Sequence, residues 1–231
     1  MSTSSLSVLV LGPGKTGSLV ADVARQRGHA VRTIDVDMNK GGVWLTPERL
    51  NDFDVVIDFT TPEAVLTHIT RCVRAGKAMV VGTTGWYGEL ERVRKLVEQA
   101  GTGFVFAPNF SYGVNLFFQI VKAAGPALMR GYEAHITETH HVHKKDAPSG
   151  TAAAMQRVLE EATGRRVEIT SKREGEVPGI HALELESASD RIVLIHDAKS
   201  RRSFAEGAML AAEWVVGKTG FHNFKDIFAE I

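Results

Sequence analysis

The densest group of side chains able to do chemistry lies between Glu138 and Thr151. The stretch reads ETHHVHKKDAPSGT, so three of the nine histidines fall within four residues and two lysines follow them. Packing gives no reason for that density. Imidazole and ammonium groups can donate protons and attract negative charge. The stretch therefore predicts a pocket for a small anion, of the kind that carries carboxylates.

A second anion-binding feature follows the histidines directly. Ser149, Gly150 and Thr151 precede a run with helical character, AAAMQRVLEEA, and amides and hydroxyls at a helix N-terminus bind anions. Three other interpretations are open: a zinc site, a basic loop that touches RNA, and a surface loop without a role. The sequence shows no matching ligand set for zinc and no interleaved aromatic residues for RNA. We therefore expect no metal here, and the adjoining helix start argues against the third interpretation.

A glycine-rich turn near the N-terminus is the first candidate cofactor site. Gly12 permits a tight turn, Gly14 lets a diphosphate approach the backbone, and Gly17 lets the following helix pack close to the strand. The turn fits G-x-G-x-x-G and consists of Gly12, Pro13, Gly14, Lys15, Thr16 and Gly17. Because it follows a predicted strand and opens a predicted helix, we expect it to cradle a dinucleotide. A glycine-rich turn without a ligand is the alternative.

Asp35 stands where a dinucleotide site needs an acidic residue, about 20 residues beyond the glycines. A carboxylate there accepts hydrogen bonds from both ribose hydroxyls and repels a 2′-phosphate. The sequence therefore predicts that NADH is preferred over NADPH, while Lys40 nearby leaves NADPH possible. A role for Asp35 as a turn cap is the alternative.

Two further loops follow predicted strands and are expected to face the same cofactor. Ligands of an open α/β sheet gather outside the carboxyl ends of its strands. Ordinary turn chemistry is the alternative for both loops. Their residues are Gly82, Thr83 and Thr84 in the first, and Ala107, Pro108, Asn109 and Phe110 in the second.

The composition is that of an ordinary globular protein. The sequence has 231 residues, of which 44% are hydrophobic. It contains 27 basic and 27 acidic side chains, and Cys72 is the one cysteine. This balance argues against a disordered chain, a disulfide framework and a generally basic nucleic-acid binder. No apolar run reaches the roughly 18 residues of a membrane helix. We expect a cytoplasmic protein without nucleic-acid or membrane partners.

The elements that must position these residues differ between the two halves of the chain. The first half repeats strand and helix, with strands at 7–11, 30–35, 54–59, 78–81 and 103–106. Its helices are one that follows the glycine turn and ends at Gly28, and two at 62–75 and 89–100. The second half places strands at 132–139, 167–171, 180–186 and 191–196 among helices at 115–128, 151–162 and 204–216. Alternation of strand and helix predicts a parallel sheet, whereas successive strands predict an antiparallel or mixed one.

These patterns predict an α/β fold of two domains. A Rossmann-type, doubly wound parallel sheet would comprise residues 1–111 and 206–231 and bind the dinucleotide. A smaller α+β domain with a mixed or antiparallel sheet would comprise residues 112–205, for substrate binding and oligomerisation.

With these motifs in their order and spacing, the sequence resembles the 4-hydroxy-tetrahydrodipicolinate reductase family, also called dihydrodipicolinate reductases. These enzymes belong to the diaminopimelate route to lysine. The resemblance extends over nearly the whole chain. Besides the glycine turn it includes VIDFTTPEA, VVGTTG, APNFSYGVNL, ETHHVHKKDAPSGTA, GIHALELES and FAEGAMLAAEW.

The resemblance implies a role for each part of the histidine-rich block. His140 matches a proton donor or acceptor and Lys144 a proton donor, while His141, Gly150 and Thr151 match positions that hold the substrate carboxylates. It also implies hydride delivery to C4 of a cyclic imine dicarboxylate, balanced by a proton at C3. The family is described as a homotetramer joined through the sheets of its substrate domains.

Two other functions fit part of the pattern. An aspartate-type dehydrogenase would share the fold but would not need the His-His-Val-His-Lys block followed by Ser-Gly-Thr. A non-catalytic sensor of NADH would gain nothing from His140 and Lys144. A panel of substrates separates the first from a reductase, and the absence of turnover would favour the second.

Overall fold

The computed structural model describes residues 5–231 and divides them into two compact units. One unit contains the chain through Tyr112 together with Arg202–Ile231, and the other is Gly113–Arg201. The strands are β1 (Ser7–Leu11), β2 (Ala30–Ile34), β3 (Val55–Asp58), β4 (Ala78–Val81), β5 (Gly103–Phe106), β6 (Glu133–His140), β7 (Glu168–Arg173), β8 (Ile180–Glu186), β9 (Arg191–Asp197) and β10 (Gly220–Asn223). The helices are α1 (Lys15–Gln26), α2 (Pro47–Leu50), α3 (Pro62–Arg74), α4 (Leu90–Ala100), α5 (Tyr112–Ala124), α6 (Gly150–Thr163), α7 (Arg202–Val215) and α8 (Phe224–Ile227).

The first unit is built on a six-stranded sheet in the order β10-β5-β4-β3-β1-β2, with every neighbouring pair parallel. Side chains of β1 alternate between two apolar cores, which explains its unbroken apolar run. Val8 and Val10 pack in the core that includes α1 and α7. Leu9 and Leu11 pack in the core that includes α3 and α4. This is the predicted Rossmann-type sheet with helices on both faces.

The second unit has a four-stranded sheet in the order β7-β6-β8-β9. The β6–β7 pair is parallel, and the β6–β8 and β8–β9 pairs are antiparallel. Ile136, Leu183 and Leu185 of this sheet pack against Met155 and Leu159 of α6. The predicted mixed sheet of a smaller α+β unit is therefore confirmed.

Several elements differ from those that the sequence predicts, and one of them is the single-turn helix α2, which is not predicted. Strand β10 and helix α8 follow α7, where no further element is predicted, because the four residues GFHN of β10 are half-buried and show no apolar run. Helix α5 ends at Ala124 and gives way to a 3-10 segment at Gly125–Arg130, since Pro126 cannot donate the next helical hydrogen bond. No helix within residues 5–231 combines the length and apolar content needed to cross a bilayer.

Candidate functional site

The glycine turn has the geometry that a phosphate cradle requires. Gly12 has φ +79°, and a Cβ on Gly17 would lie 2.1 Å from the Gly12 carbonyl oxygen. Both positions therefore admit only glycine. At Gly14, in contrast, a Cβ would meet no atom of the described chain within 4 Å. Gly12 thus has the conformation of a tight turn, Gly17 of α1 lies in close contact with that turn, and the backbone at Gly14 is open to a ligand.

A cavity of about 450 Å³ lies beside this turn at the carboxyl ends of β1, β2 and β3. Among the described residues, no side chain caps the start of α1, so its first amides face outward as an anion site. Asp35 is exposed and lines the cavity, and its Oδ1 accepts the Met38 amide at 2.9 Å. The carboxylate thus caps a turn and also faces the cavity.

These features fit a dinucleotide at its diphosphate and its adenosine ribose. Of the predicted cofactor residues, the cavity brings together Gly12, Pro13, Gly14 and Asp35. Lys15, Thr16 and Gly17 form the first turn of α1. The loops after β4 and β5 are not part of the described cavity lining.

In the loop after β4, the first threonine side chain is buried and the second is exposed. Thr83 is buried, and its Oγ1 donates to Oδ1 of Asp58 at 2.6 Å. The Gly82 amide donates to the Asp58 carbonyl at 2.9 Å, whereas Thr84 is exposed. The Thr83 side chain therefore holds the loop to Asp58 inside the protein, and Thr84 provides the exposed side chain of the loop.

The loop after β5 is anchored by its ends. Ala107 and Phe110 are buried, and the Phe110 ring packs against Phe224 with ring centroids 5.0 Å apart. Asn109 accepts the Ser111 amide at 2.8 Å, and Pro108 is exposed. The loop is a firm turn, with Pro108 and Asn109 as its accessible members.

The histidine-rich block begins at the carboxyl end of β6, where the helix-covered face of the second sheet becomes polar. Glu138 lies opposite Ser171 of β7 and opposite His181 of β8, and His181 lies opposite His196 of β9. Directly opposed residues share one face of a sheet. A row of polar side chains therefore crosses all four strands at this level.

Glu138 holds His140 in one orientation. The Glu138 side chain is fully buried, and its Oε2 accepts a hydrogen bond from Nδ1 of His140. Its Oε1 accepts from Nη1 of Arg173 at 3.0 Å and from the Ser149 amide at 3.3 Å. Because Nδ1 of His140 carries the proton toward Glu138, Nε2 is the nitrogen left for a ligand. A Cβ on Gly179 would lie 2.9 Å from that Nε2, so the absence of a side chain there keeps it accessible.

Burial and charge set the protonation states of this group. Burial lowers the pKa of His140, and Lys144 and Arg173 add to that effect, while Glu138 opposes it. Burial alone would raise the pKa of Glu138, but hydrogen bonds from Ser171, His140 and Arg173 leave that pKa below its usual range. Burial, with the charges of His140 and His196, lowers the pKa of His181 to about 4. At neutral pH the row therefore contains an ionised Glu138 among neutral imidazoles.

The chain between His140 and Lys144 forms a tight turn, with the Lys144 amide donating to the His141 carbonyl at 3.1 Å. A helical turn or an extended strand would also have placed these residues on one side, but β6 ends at His140 and neither continues. Arg173 fixes the loop, because its Nε donates to the Lys144 carbonyl at 3.3 Å and its Nη2 to the Asp146 carbonyl at 2.6 Å. The Lys144 ammonium pairs with Asp146 at 2.8 Å and lowers the pKa of that carboxyl.

Helix α6 begins where the sequence predicts a second anion site. Ser149 is its N-cap, and Oγ accepts the Ala152 amide at 3.2 Å. That Oγ also lies 3.2 Å from Nε2 of His181, and the residue is buried. Its hydroxyl is engaged inside the protein, so the groups left for a ligand at this helix start are those of Gly150 and Thr151.

Three residues of this site carry no role in the sequence-based prediction. Glu138 stands inside the quoted block, and strand alternation puts it on the same face as His140. Arg173 and His181 join the site only through the pairing of β6 with β7 and β8. Within residues 5–231, no three His, Cys, Asp or Glu side chains form a metal-binding group.

Replacing Glu138 with glutamine is expected to lower kcat about tenfold, the scale on which an orienting partner acts. The carboxylate raises the pKa of His140 against the effect of burial. Its loss therefore moves that pKa further down, which NMR titration of the His140 ring measures. Glu133→Gln, at the exposed start of the same strand, is the control. An unchanged kcat together with an unchanged His140 titration would exclude the orienting role.

Comparison with known proteins places this geometry in one family. The family model for the dihydrodipicolinate reductase N-terminus matches residues 6–110, and that for its C-terminus matches residues 113–228. A curated 4-hydroxy-tetrahydrodipicolinate reductase of Christiangramia forsetii is 37% identical, over 98% of this chain and 99% of its own length. The enzyme of Neisseria meningitidis serogroup A is 38% identical over 75% of this chain and 72% of its own.

Solved structures agree with the fold. Dipicolinate-bound dihydrodipicolinate reductase from Paenisporosarcina sp. TG-14 aligns with a TM-score of 0.80 and 23% identity, covering 97% of this chain and 100% of that chain. GenD2 from gentamicin A biosynthesis, solved with NAD, aligns with a TM-score of 0.64 and 12% identity, covering 99% of this chain and 92% of that chain. At these identities the likeness shows the fold.

The parallel sheet, the glycine turn and the acid–histidine pair define an oxidoreductase of the NAD(P)H-dependent class. Within that class, the chain belongs to the dihydrodipicolinate reductase family. The family and the fold class that the sequence predicts are confirmed.

Proposed function

We propose that this chain converts 4-hydroxy-tetrahydrodipicolinate/dihydrodipicolinate to tetrahydrodipicolinate with NAD(P)H, in the diaminopimelate route to lysine. Loss of water across C3 and C4 of the hydroxylated form gives the conjugated dihydrodipicolinate, which then receives a hydride at C4 and a proton at C3. The observation that carries the proposal is the Glu138–His140 pair at the end of β6, in a chain that is 37% identical over 98% of its length to a curated 4-hydroxy-tetrahydrodipicolinate reductase. The family match over both parts of the chain supports the same activity.

The cofactor is assigned to the glycine turn and its cavity. The turn and the first amides of α1 would hold the diphosphate, and Asp35 would accept hydrogen bonds from the adenosine ribose. When bound, the dinucleotide supplies the hydride for the reduction. Gly82–Thr84 and Ala107–Phe110 are proposed for its nicotinamide end, with Thr84, Pro108 and Asn109 offering the accessible surface.

The substrate is assigned to the histidine-rich loop and the start of α6. His141, Gly150 and Thr151 would hold the two carboxylates, and Ser149 would keep the helix start in place through its N-cap bond. Lys144 would protonate the ring at C3, next to the carbon that receives hydride. His140, neutral and with Nδ1 bound to Glu138, would present Nε2 to the ring and assist proton transfer.

NADH oxidation with freshly generated substrate, repeated with NADPH, tests the activity and the cofactor preference together. We expect turnover with both and a higher kcat/KM with NADH, because the Asp35 carboxylate repels a 2′-phosphate. A tenfold higher kcat/KM with NADPH would overturn the preference. Tight NADH binding without turnover of the cyclic imine would overturn the activity and favour a sensor.

The chain is further proposed to form a homotetramer through the sheets of the second unit. Strand β9 is the edge of that sheet and exposes Ile192, Val193 and Ile195, the last at 61%. An apolar edge strand in water favours association. Light scattering should give a tetramer for the wild type and a smaller species for Ile195→Glu. A monomeric wild type would refute the proposal. A cytoplasmic location and the lack of nucleic-acid and membrane partners stay predictions.

A further inference from the structure

A second buried acid–histidine pair lies in the first unit, at the carboxyl end of β3. Asp58 is fully buried and His68 of α3 is 4% exposed. Oδ2 of Asp58 lies 2.7 Å from Nδ1 of His68, so that nitrogen carries the proton and donates it to the carboxylate. Nothing in the proposed chemistry uses this pair.

The far side of His68 reaches the loop after β2. Its Nε2 lies 3.0 Å from Nδ2 of Asn39 and, with the proton on Nδ1, accepts from that amide. Oδ1 of Asn39 then accepts the backbone amide of Trp44 at 3.1 Å. Each donor in this series of hydrogen bonds meets an acceptor, and this fixes which way the Asn39 amide is turned. The Asn39 side chain thereby ties the backbone of Trp44 to His68.

The other oxygen of Asp58 holds two different loops. Oδ1 accepts from Oγ1 of Thr83 at 2.6 Å, in the loop after β4. It also accepts from the Thr60 amide at 3.0 Å and from the Thr60 hydroxyl at 2.7 Å, in the loop after β3. The carboxylate therefore bonds two loops directly through Oδ1 and reaches the loop after β2 through Oδ2 and His68.

These bonds border the cavity beside the glycine turn, which Asn39, Thr60 and His68 line together with Gly12 and Asp35. A buried network of polar side chains around a carboxylate is rarely the most effective way to stabilise a core, since apolar residues of similar volume do as well or better. Its position beside the two loops that line the cavity, those after β2 and β3, gives it a different use.

We propose that Asp58 and His68 are positioning residues that fix the loop after β2 relative to the loops after β3 and β4, and so preset Asp35 for the cofactor. The inference rests on the proposed assignment of this cavity to the dinucleotide. A loop that is already ordered loses less conformational entropy when the cofactor binds. Breaking the link should therefore weaken cofactor affinity and raise the KM for the cofactor, while kcat at saturating cofactor is unchanged.

His68→Asn is the sharpest test, because the amide nitrogen of asparagine can replace Nδ1 toward Asp58 but cannot span to Asn39. In the cofactor-free protein, hydrogen exchange of the Trp44 amide should become at least tenfold faster. The NADH dissociation constant, from fluorescence titration, should rise about tenfold, and kcat at saturating NADH should stay within twofold of the wild type.

His29→Asn is the matched control. His29 is also buried, accepts the Leu6 amide through Nδ1 at 3.1 Å, and pairs through Nε2 with Glu213 at 2.9 Å. It directly precedes β2, at the amino end of the strand whose carboxyl end borders the cavity. This variant should lose a comparable buried contact and keep wild-type Trp44 exchange and NADH affinity.

Asn39→Ala carries the test if His68→Asn does not fold, since it leaves the Asp58–His68 pair in place and removes the same link. Wild-type exchange at Trp44 and wild-type NADH affinity in the folded variant would overturn the positioning role. Equal losses in His29→Asn would also overturn it. A wild type that fails to bind NADH would instead refute the cofactor assignment, while the exchange of Trp44 still reports on the link itself.

Discussion

Lys144→Ala is expected to lower kcat by about 10² or more while NADH affinity stays at its wild-type value. General acid catalysis has that scale, and the proposed reaction needs a proton at the carbon next to the one that receives hydride. The loop should survive the change, because its backbone makes the anchoring bonds: the Lys144 amide to His141 and the Lys144 carbonyl from Arg173. The lost pair with Asp146 contributes little, since Asp146 is exposed.

Two further variants separate proton donation from charge. Lys145→Ala removes the adjacent, exposed ammonium and should keep kcat within about twofold. Lys144→Arg retains the positive charge but not a group that releases a proton, because the guanidinium pKa exceeds about 12. It should be nearly as slow as the alanine variant. A near-normal kcat in Lys144→Ala would remove Lys144 from the mechanism, and full activity in Lys144→Arg would reduce its role to electrostatics.

The first unit could be predicted from sequence because its signals are local. The strand of residues 7–11 is an unbroken apolar run followed at once by glycines, and its predicted bounds match those of β1. A strand buried on both faces must be apolar throughout, so its pattern does not depend on its partners. Strand β10 lacked such a signal, since it adds to β5 at the edge of the sheet with half-buried residues.

The site was predictable only as far as its residues adjoin in the chain. His140 and Lys144 stand out by residue type and by the density of their neighbours. Glu138, in contrast, meets Arg173 and His181 only through strand pairing, and each of these two residues lies 35 or more positions from it in the chain. Ser149 shows that residue type alone does not reveal which bonds a side chain makes inside the protein. Its type suits a ligand-binding helix start, while its hydroxyl is taken by the cap bond and by His181.

The Asp58–His68 link has the same origin. The sequence presents Asp58 only as a residue of the strand predicted at 54–59. No spacing rule indicates that His68 on the following helix reaches both Asp58 and Asn39. Hydrogen bonds between elements follow from the register and rotation of whole helices. A pattern of residue types fixes which face of α3 is apolar, and it does not fix which polar groups that face meets.

Gly17→Ala should damage both the fold and cofactor binding, whereas Gly14→Ala should damage binding alone. A methyl group at Gly17 would lie 2.1 Å from the Gly12 carbonyl oxygen, a backbone atom that can retreat only if α1 shifts off the sheet. Overpacking of that kind costs about 1–3 kcal/mol of the free energy of unfolding. A shifted α1 also moves the amides proposed to hold the diphosphate, so NADH affinity should fall about 10² or more.

At Gly14 the same methyl group meets no atom of the described chain within 4 Å, so urea denaturation should give a wild-type free energy of unfolding. The space it fills is the one assigned to the diphosphate, and NADH affinity should fall tenfold or more. Gly88→Ala is the control, because a Cβ there also enters open space, within the 3-10 turn before α4 and outside the described cavity lining. NADH affinity unchanged in Gly14→Ala would mean that the diphosphate does not lie on this turn. A stable Gly17→Ala with normal NADH affinity would mean that α1 does not need its close contact with the glycine turn.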